Sequence, residues 1–124
     1  MNKKIKTDAV DHLFEAILTL KTPEECYAFF EDVCTVNELL SLSQRYEVAK
    51  MLREKRTYLD IAESTGASTA TISRVHRSLN YGSDGYDMVF HKMVWRTGHV
   101  FGVRRSFYYR TMIYYYPPMV AFKP

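Results

Sequence analysis

The chain has 124 residues, with 47% hydrophobic residues, 17 basic and 14 acidic side chains, and a formal net charge of +3. This length suits one globular domain. The sequence has no apolar run of the ~18 residues that a transmembrane helix requires. Its basic start is followed by an amphipathic stretch and not by the apolar core of a signal peptide. Its two cysteines give no disulfide framework or zinc set. We therefore expect a reduced, cytoplasmic protein.

The charge is distributed unevenly along the chain. Residues 94–124 contain five basic side chains and no acidic one, so residues 1–93 carry a net charge of −2. This C-terminal segment also holds nine aromatic residues and loses helical periodicity. It fits a β-ribbon, an adhesive arm, a disordered tail or an artefact such as a shifted reading frame. The net charge is therefore no evidence for nucleic-acid binding, and such a function has to rest on a local motif.

The part of the chain before this segment has the pattern of an all-α domain. Apolar residues recur at helical spacing in residues 8–20. Capping boxes predict helix starts at Thr22 and Thr35, where a hydroxyl and a glutamate three residues later can bond each other's backbone N–H. Ser43 is predicted to cap a longer helix that continues to about Lys55. The methionine and aromatic positions follow the same spacing, which favours core residues over a cofactor site.

Residues 57–79 predict two short helices joined by a tight turn. Thr57 caps the first helix, Gly66 supplies the positive-φ residue that ends it, and Ser68 caps the second. A last helix is predicted near residues 84–93. The positions predicted to face inward are Ile61, Ala62, Ala67, Ile72 and Val75. Apolar or small residues at these positions are typical of a helix-turn-helix, whose second helix enters the major groove of DNA.

The second of these two helices has many short hydroxyl side chains. Such side chains approach the major groove closely and bond phosphates or base edges, while arginines bind phosphates. The hydroxyl and basic residues are Ser68, Thr69, Thr71, Ser73, Arg74, His76, Arg77 and Ser78. The same pattern also fits the solvated face of an ordinary αα-hairpin. A helical protein-interaction module is therefore the alternative from a different functional class.

Two stretches within residues 39–79 are distinctive. Residues 42–52 read Leu-Ser-Gln-Arg-Tyr-Glu-Val-Ala-Lys-Met-Leu, and residues 61–74 read Ile-Ala-Glu-Ser-Thr-Gly-Ala-Ser-Thr-Ala-Thr-Ile-Ser-Arg. They resemble the Trp-repressor family, in particular its TrpR-related branch of the YerC/YecD type. The resemblance covers most of residues 1–93 and none of 94–124. It implies an all-helical, intertwined homodimer that binds a palindromic operator in double-stranded DNA and represses transcription.

The resemblance also indicates which residues contact DNA. Tyr58, Leu59 and Ala62 fall where the family has polar or basic contacts on the first helix of the motif. The contact face of the second helix matches Thr69, Ala70, Thr71 and Ser73. With Thr57 and with Ser68, Arg74 and Arg77 from the residues above, the predicted DNA-binding set is Thr57, Tyr58, Ser68, Thr69, Ala70, Thr71, Ser73, Arg74 and Arg77. We expect base readout to persist at an operator of different sequence.

The family's repressor holds the indole of tryptophan between two arginines, beside a threonine and a serine, and a glycine follows the second arginine. An alignment with one gap near Arg56 places Thr35, Arg45, Arg74 and Ser78 on the matching positions. Val75 stands where the glycine should be, and its branched side chain would take up room at the edge of the indole. We therefore expect no tryptophan as corepressor. An unknown small-molecule effector in the reshaped pocket stays open.

The sequence gives little support for catalysis. Its four histidines are scattered, without a partner at metal-ligand spacing. It contains neither a glycine-rich phosphate loop nor a nucleophile elbow. We therefore expect no enzyme, no metal and no cofactor, and we interpret the chain as a helix-turn-helix domain, residues 1–93, followed by a basic aromatic tail, residues 94–124.

Overall fold

The computed structural model describes residues 2–97, with side chains to Val94. Within that range the chain forms six α-helices and no strand, so the predicted all-α fold is confirmed. The helices are α1 (Asp8–Ile17), α2 (Pro23–Val33), α3 (Val36–Arg53), α4 (Tyr58–Thr65), α5 (Thr69–Tyr81) and α6 (Gly85–Thr97). The alternatives for the tail, from β-ribbon to artefact, concern a segment that from residue 98 onward lies outside the described residues.

Side-chain caps begin the helices where the sequence predicts them. The hydroxyls of Thr22 and Thr57 accept the backbone N–H three residues later, each at 3.2 Å, and the Ser68 hydroxyl does the same at 3.1 Å. These bonds satisfy N–H groups that have no partner inside the helix. The predicted starts of α2, α4 and α5 are therefore confirmed. The capping box predicted at Thr22 is not fully reciprocal, because the Glu25 carboxylate accepts the N–H of Lys21 and not that of Thr22.

The start of α3 is a reciprocal capping box. The N–H of Glu38 donates to the Thr35 hydroxyl at 3.2 Å, and the N–H of Thr35 donates to the Glu38 carboxylate at 3.0 Å. Hydrogen bonding from the Thr35 backbone, followed by its side chain, lowers the pKa of Glu38. The box therefore favours the ionised carboxylate.

The predicted helix start at Ser43 is wrong. α3 runs without a break from Val36 to Arg53. The Ser43 hydroxyl donates to the carbonyl of Leu40 at 2.8 Å, so it bonds back to the preceding turn of the same helix. Serine has this alternative because its short side chain reaches either a following N–H or a preceding carbonyl.

Helix ends differ from the prediction where the sequence lacks a stop signal. α1 ends at Ile17 and not near residue 20, and α6 continues past Met93 to Thr97. α5 continues two residues past its predicted end near Leu79, to Tyr81, and Gly82 follows it. A Cβ atom added to Gly82 would lie 2.4 Å from the carbonyl oxygen of Ser78, so only glycine fits that close approach.

The chain divides into two compact units, Met1–Ser43 and Gln44–Pro124, here called the N-terminal and C-terminal units. Among the described residues of the N-terminal unit, no side chain is fully buried. Large apolar side chains there are half or more exposed: Ile5, Phe14, Leu18, Tyr27, Val33, Val36 and Leu40. The amphipathic helices of this unit therefore form without closing a core of their own.

The C-terminal unit has a closed core. Its buried residues are Val48, Ala49, Met51, Ile61, Ala67, Ile72, Val75, Leu79 and Phe90. The rings of Tyr46 and Tyr86 pack on Phe90, with centroids 5.5 and 6.2 Å from it. Each inward position predicted for the helix-turn-helix is buried, except Ala62, which is partly buried against the core.

A half-buried ion pair joins three helices of the C-terminal unit. The Arg53 guanidinium at the end of α3 donates two hydrogen bonds to the Asp87 carboxylate of α6, at 2.8 and 2.7 Å. It also donates to the carbonyl of Leu79 on α5 at 3.2 Å. Bidentate arginine–carboxylate pairs are strong and directional. This contact therefore fixes the last turn of α5 relative to α3 and α6.

Candidate nucleic-acid interface

The turn between α4 and α5 is held by several hydrogen bonds. Gly66 has φ of +70°, the left-handed conformation that glycine adopts without strain. The Thr65 hydroxyl donates to the carbonyl of Ile61 at 2.7 Å and accepts the N–H of Ala67 at 3.2 Å. The Gln44 side chain donates to the Thr65 carbonyl at 3.1 Å. These bonds fix the direction in which α5 leaves the turn.

Packing of the two helices decides which face of α5 is exposed. Ile72, Val75 and Leu79 of α5 are buried against Ile61 and other core residues, at positions i, i+3 and i+7. The side chains left exposed on α5 include Thr69, Ala70, Ser73, Arg74 and Arg77, all from the predicted DNA-binding set. The structure therefore brings these five predicted residues together on one exposed helix.

Two hydroxyls of the predicted set bond each other. Ser68 accepts the N–H of Thr71 and donates to the Thr71 hydroxyl, both at 3.1 Å. Within the described part of the chain, the hydroxyls of Thr69 and Ser73 have no protein partner. Thr69 and Ser73 are thus the hydroxyl side chains in the set that are best placed to bond a ligand.

The two helices of the motif differ in charge. α5 contains Arg74 and Arg77 and no acidic residue, whereas α4 contains Asp60 and Glu63. Neither arginine pairs with a carboxylate among residues 2–94. The positive charge of the motif is therefore concentrated on α5, where an anionic ligand would meet it first.

An exposed hydrogen bond links the beginning of α4 to α5. The Tyr58 hydroxyl lies 2.7 Å from Nδ1 of His76, and the two rings meet edge to face with centroids 5.9 Å apart. Sequence reasoning placed Tyr58 in the interface but did not assign His76 to it. No local pattern links the two residues, because 18 positions separate them.

The predicted effector residues have different surroundings within their own units. Val75 is 3% exposed and belongs to the core, and Thr35 lies in the N-terminal unit, where its hydroxyl caps α3. Ser78 lines a shallow, open depression whose lining does not include Arg45, Arg74 or Val75. The depression is lined by Tyr46, Ser78, Gly82, Ser83, Gly85, Tyr86 and Val89.

Two phenols border this depression. Burial raises the pKa of Tyr46 and of Tyr86, and the positive charges of Lys50 and Arg45, respectively, oppose that rise. Both phenols are therefore neutral donors at physiological pH. Their rings form part of the core around Phe90, which accounts for their burial without a ligand.

Comparison with known proteins places the chain in a family. Residues 8–94 match the family model of the Trp repressor protein. The chain belongs to the Trp repressor family. Members of this family are regulators and not enzymes. The match includes all of α4 and α5, and thus the whole helix-turn-helix.

Individual relatives agree with this assignment. YerC of Bacillus subtilis (strain 168) is 58% identical over 90 residues, which cover 73% of this chain and 86% of YerC. A solved structure of a TrpR-like protein from Eubacterium eligens ATCC 27750 is 75% identical, with a TM-score of 0.72, and covers 74% of this chain and 95% of that one. A candidate Trp repressor from Staphylococcus aureus is 56% identical, with a TM-score of 0.72, over 75% of this chain and 94% of its own. The chain is thus a TrpR-related protein of the YerC type.

Two other kinds of site are absent from the described residues. None of the helices there combines the length and apolar composition needed to cross a membrane. No group of three or more histidine, cysteine, aspartate or glutamate side chains there is suited to hold a metal ion.

Proposed function

We propose that this protein binds double-stranded DNA in a sequence-specific manner and acts as a cytoplasmic transcriptional repressor. The observation that carries the proposal is the exposed face of α5, which combines unpaired hydroxyls with arginines on a helix whose direction is fixed by the turn before it. A helix of this kind fits the major groove, and its hydroxyl and methyl groups suit base edges. Membership of the Trp repressor family supports the same conclusion.

Distinct tasks are assigned to the exposed residues. Thr69, Ala70 and Ser73 are proposed to face base edges, while Arg74 and Arg77 bind phosphates. The remaining members of the predicted set flank this face at the beginnings of the two helices: Thr57, Tyr58, Ser68 and Thr71. Their hydroxyls already accept or donate hydrogen bonds within the protein. They are proposed to position the backbone of the DNA and not to read its sequence.

The functional unit is proposed to be a homodimer. The N-terminal unit leaves Phe14 at 52% and Leu18 at 83% exposure, and its described residues form no closed core. A second copy that covers these side chains would contribute about 25 cal/mol for each Å² of apolar surface buried. Two copies of α5 related by a two-fold axis would read a palindromic site, as in other helix-turn-helix dimers.

Tryptophan is proposed not to act as corepressor. Val75 occupies the position of the family's glycine, and its side chain packs in the core beside Ile72 and Leu79. A glycine there would leave a cavity, whereas the valine fills it. Calorimetry with L-tryptophan is expected to detect no micromolar binding, and such binding would overturn this part of the proposal.

The first experiment is affinity selection of genomic DNA fragments by the full chain, with and without L-tryptophan. A palindromic motif enriched without tryptophan is the expected result. Enrichment only with tryptophan would refute the interpretation of Val75. No enrichment under either condition would contradict specific DNA binding and favour a protein-interaction module.

A charge substitution tests the assignment of the exposed face. Thr69→Asp places a carboxylate toward the DNA phosphates, and the first turn of a helix tolerates this charge well. We expect it to abolish specific binding without lowering the thermal unfolding midpoint. Asn80→Asp is the control for added charge, because it adds the same charge at an exposed position in the last turn of α5. Only the DNA affinities of the two variants are compared, since a carboxylate is less favourable in the last turn of a helix than in the first. Equal losses in both variants would show a general charge effect and contradict the assigned contact.

A further inference from the structure

The bond between Tyr58 and His76 lies at the surface of the helix-turn-helix. Tyr58 is the first residue of α4 and is 36% exposed, and His76 is partly exposed on α5. The 2.7 Å bond crosses between the helices outside the core of the motif. A surface bond of this kind adds little to folding, because water competes for both partners. The bond instead restricts the orientations of the Tyr58 and His76 side chains.

The bond to Tyr58 is compatible with a neutral His76 ring whose proton lies on the far nitrogen, Nε2. A neutral imidazole has one donor and one acceptor nitrogen. When the Tyr58 hydroxyl donates to Nδ1, the proton lies on Nε2. A flip of the ring would break the bond, so the phenol favours one orientation of the ring. His76 then presents a single N–H donor in a preferred direction.

The surroundings of this donor suit an anion. Arg74 and Arg77 are exposed on the same helix, and Ser73 lies one turn before His76. α5 contributes no carboxylate that would repel a phosphate or compete for the N–H. Neutral side-chain donors, together with arginines, are common partners of DNA phosphate oxygens.

We propose that His76 binds a phosphate of the DNA backbone through Nε2–H, and that Tyr58 is its positioning residue. This inference rests on the proposed DNA-binding function and adds a contact to it. The Tyr58 hydroxyl acts on the DNA only through His76, so the effects of the two side chains are coupled. A contact from a neutral donor changes the affinity without changing the number of counterions that DNA binding releases.

The test uses the full chain and the palindromic fragment recovered in the genomic selection, at about pH 8, above the range in which free histidine changes charge. His76→Phe is expected to weaken binding about three- to tenfold per subunit, the usual effect of one lost hydrogen bond. His76→Gln should retain most of the affinity, because its amide can accept from the phenol and still donate. Tyr58→Phe should weaken binding by a smaller factor. Tyr81→Phe removes a hydroxyl from an 86% exposed position of α5 and should have no effect.

Two further readouts separate a DNA contact from a role in folding. In the His76→Phe background, Tyr58→Phe should cause no additional loss. In fragments that each carry one uncharged methylphosphonate in place of a phosphate, one position per half-site should weaken the wild type but not His76→Phe. Plots of affinity against salt concentration should be parallel for these two proteins, whereas Arg74→Gln should lower the slope by about 0.9 per lost phosphate contact.

Several outcomes would overturn the inference. In the first, the losses of affinity from Tyr58→Phe and His76→Phe add up in the double variant. In the second, no methylphosphonate position weakens the wild type more than His76→Phe. In the third, His76→Phe changes which bases are preferred and leaves the phosphate contacts unchanged. If His76→Phe lowers the thermal midpoint, the phosphate scan is carried out with Tyr58→Phe, which keeps both rings. If the wild type selects no DNA at all, the proposed function itself fails, and this result is distinguishable from a wild type that binds DNA independently of His76.

Discussion

The C-terminal unit has a buried apolar core, whereas the described residues of the N-terminal unit have none. In the C-terminal unit, apolar faces of α3, α4, α5 and α6 meet in a core with Ile61, Ile72 and Phe90 at 0% exposure. In the N-terminal unit, the helices have equally regular apolar faces, yet Phe14, Leu18 and Leu40 remain half or more exposed. Caps and periodicity are therefore sufficient to define helices, but closing a core depends on which surfaces are available to pack.

The largest expected effect tests the core of the C-terminal unit. Phe90→Ala removes a fully buried ring against which Tyr46 and Tyr86 pack. We expect a loss of about 3–5 kcal/mol in the free energy of unfolding, measured by urea titration. The pKa values of both phenols should fall toward their ordinary value as water reaches the rings. Val89→Ala, at a 39% exposed neighbour, is the control. A comparable loss in that variant would contradict the assigned core.

The next largest effect is expected from a substitution on the exposed apolar face of the N-terminal unit, and it is measured as a change in dimerisation. Leu18→Asp should destabilise an isolated chain by less than about 1 kcal/mol, because the side chain is 83% exposed and only the C-terminal end of α1 opposes the added charge. In a homodimer that buries it, the loss should be about 1.5–3 kcal/mol per side chain. Sedimentation over a range of concentrations measures this as a shift from dimer to monomer. Thr19→Asp introduces the same charge at the adjacent exposed position. Unchanged dimerisation by Leu18→Asp would show that this face is not the interface.

A smaller change in the free energy of unfolding is expected from removing single hydroxyls, of which one caps a helix and one does not. Thr22→Ala removes the bond to the N–H of Glu25 and should cost about 1 kcal/mol. Ser43→Ala removes only the bond back to Leu40 and should stabilise α3 by about 0.5 kcal/mol, because alanine has the higher helix propensity. Urea titration measures both. Destabilisation by Ser43→Ala equal to that by Thr22→Ala would restore Ser43 as a helix cap.

The smallest effect concerns the pH dependence of the capping box. Because hydrogen bonds lower the pKa of Glu38, its contribution to stability is present above the pKa of the unfolded chain and is lost as pH falls through the lower folded value. An NMR titration of the Glu38 carboxylate should show this low pKa. Thr35→Ala keeps the backbone donor and removes the hydroxyl, so it should raise the pKa only part of the way. An ordinary pKa in the wild type would contradict the box.

Local features account for what could be predicted from the sequence. Thr22, Thr35, Thr57 and Ser68 each bond a group three residues away, so the relevant partners are visible in a short stretch of sequence. Ser43 has the same chemistry but two possible partners, and the choice depends on whether the preceding turn is already helical. No glycine or proline follows Met93 directly, and the next stop signal in the sequence is Gly98, which comes immediately after the observed end of α6 at Thr97.

Features that join distant parts of the chain could not be predicted. The Arg53–Asp87 pair spans 34 residues and the Tyr58–His76 bond spans 18. Both depend on the angle between helices, which periodicity does not specify. For the candidate site, the sequence indicated which helix carries the exposed hydroxyls. The structure added which of those hydroxyls bond each other, and it added His76.

The hydrogen-bonded turn of Thr65, Gly66 and Ala67 has a thermodynamic consequence. Since the chain orders this turn when it folds, little conformational entropy remains to be lost when α5 meets a ligand. The heat-capacity change on association should then follow the apolar area that the contact removes from water, without the larger change that accompanies coupled folding. The preformed turn therefore predicts a heat-capacity change to which folding of the turn contributes nothing.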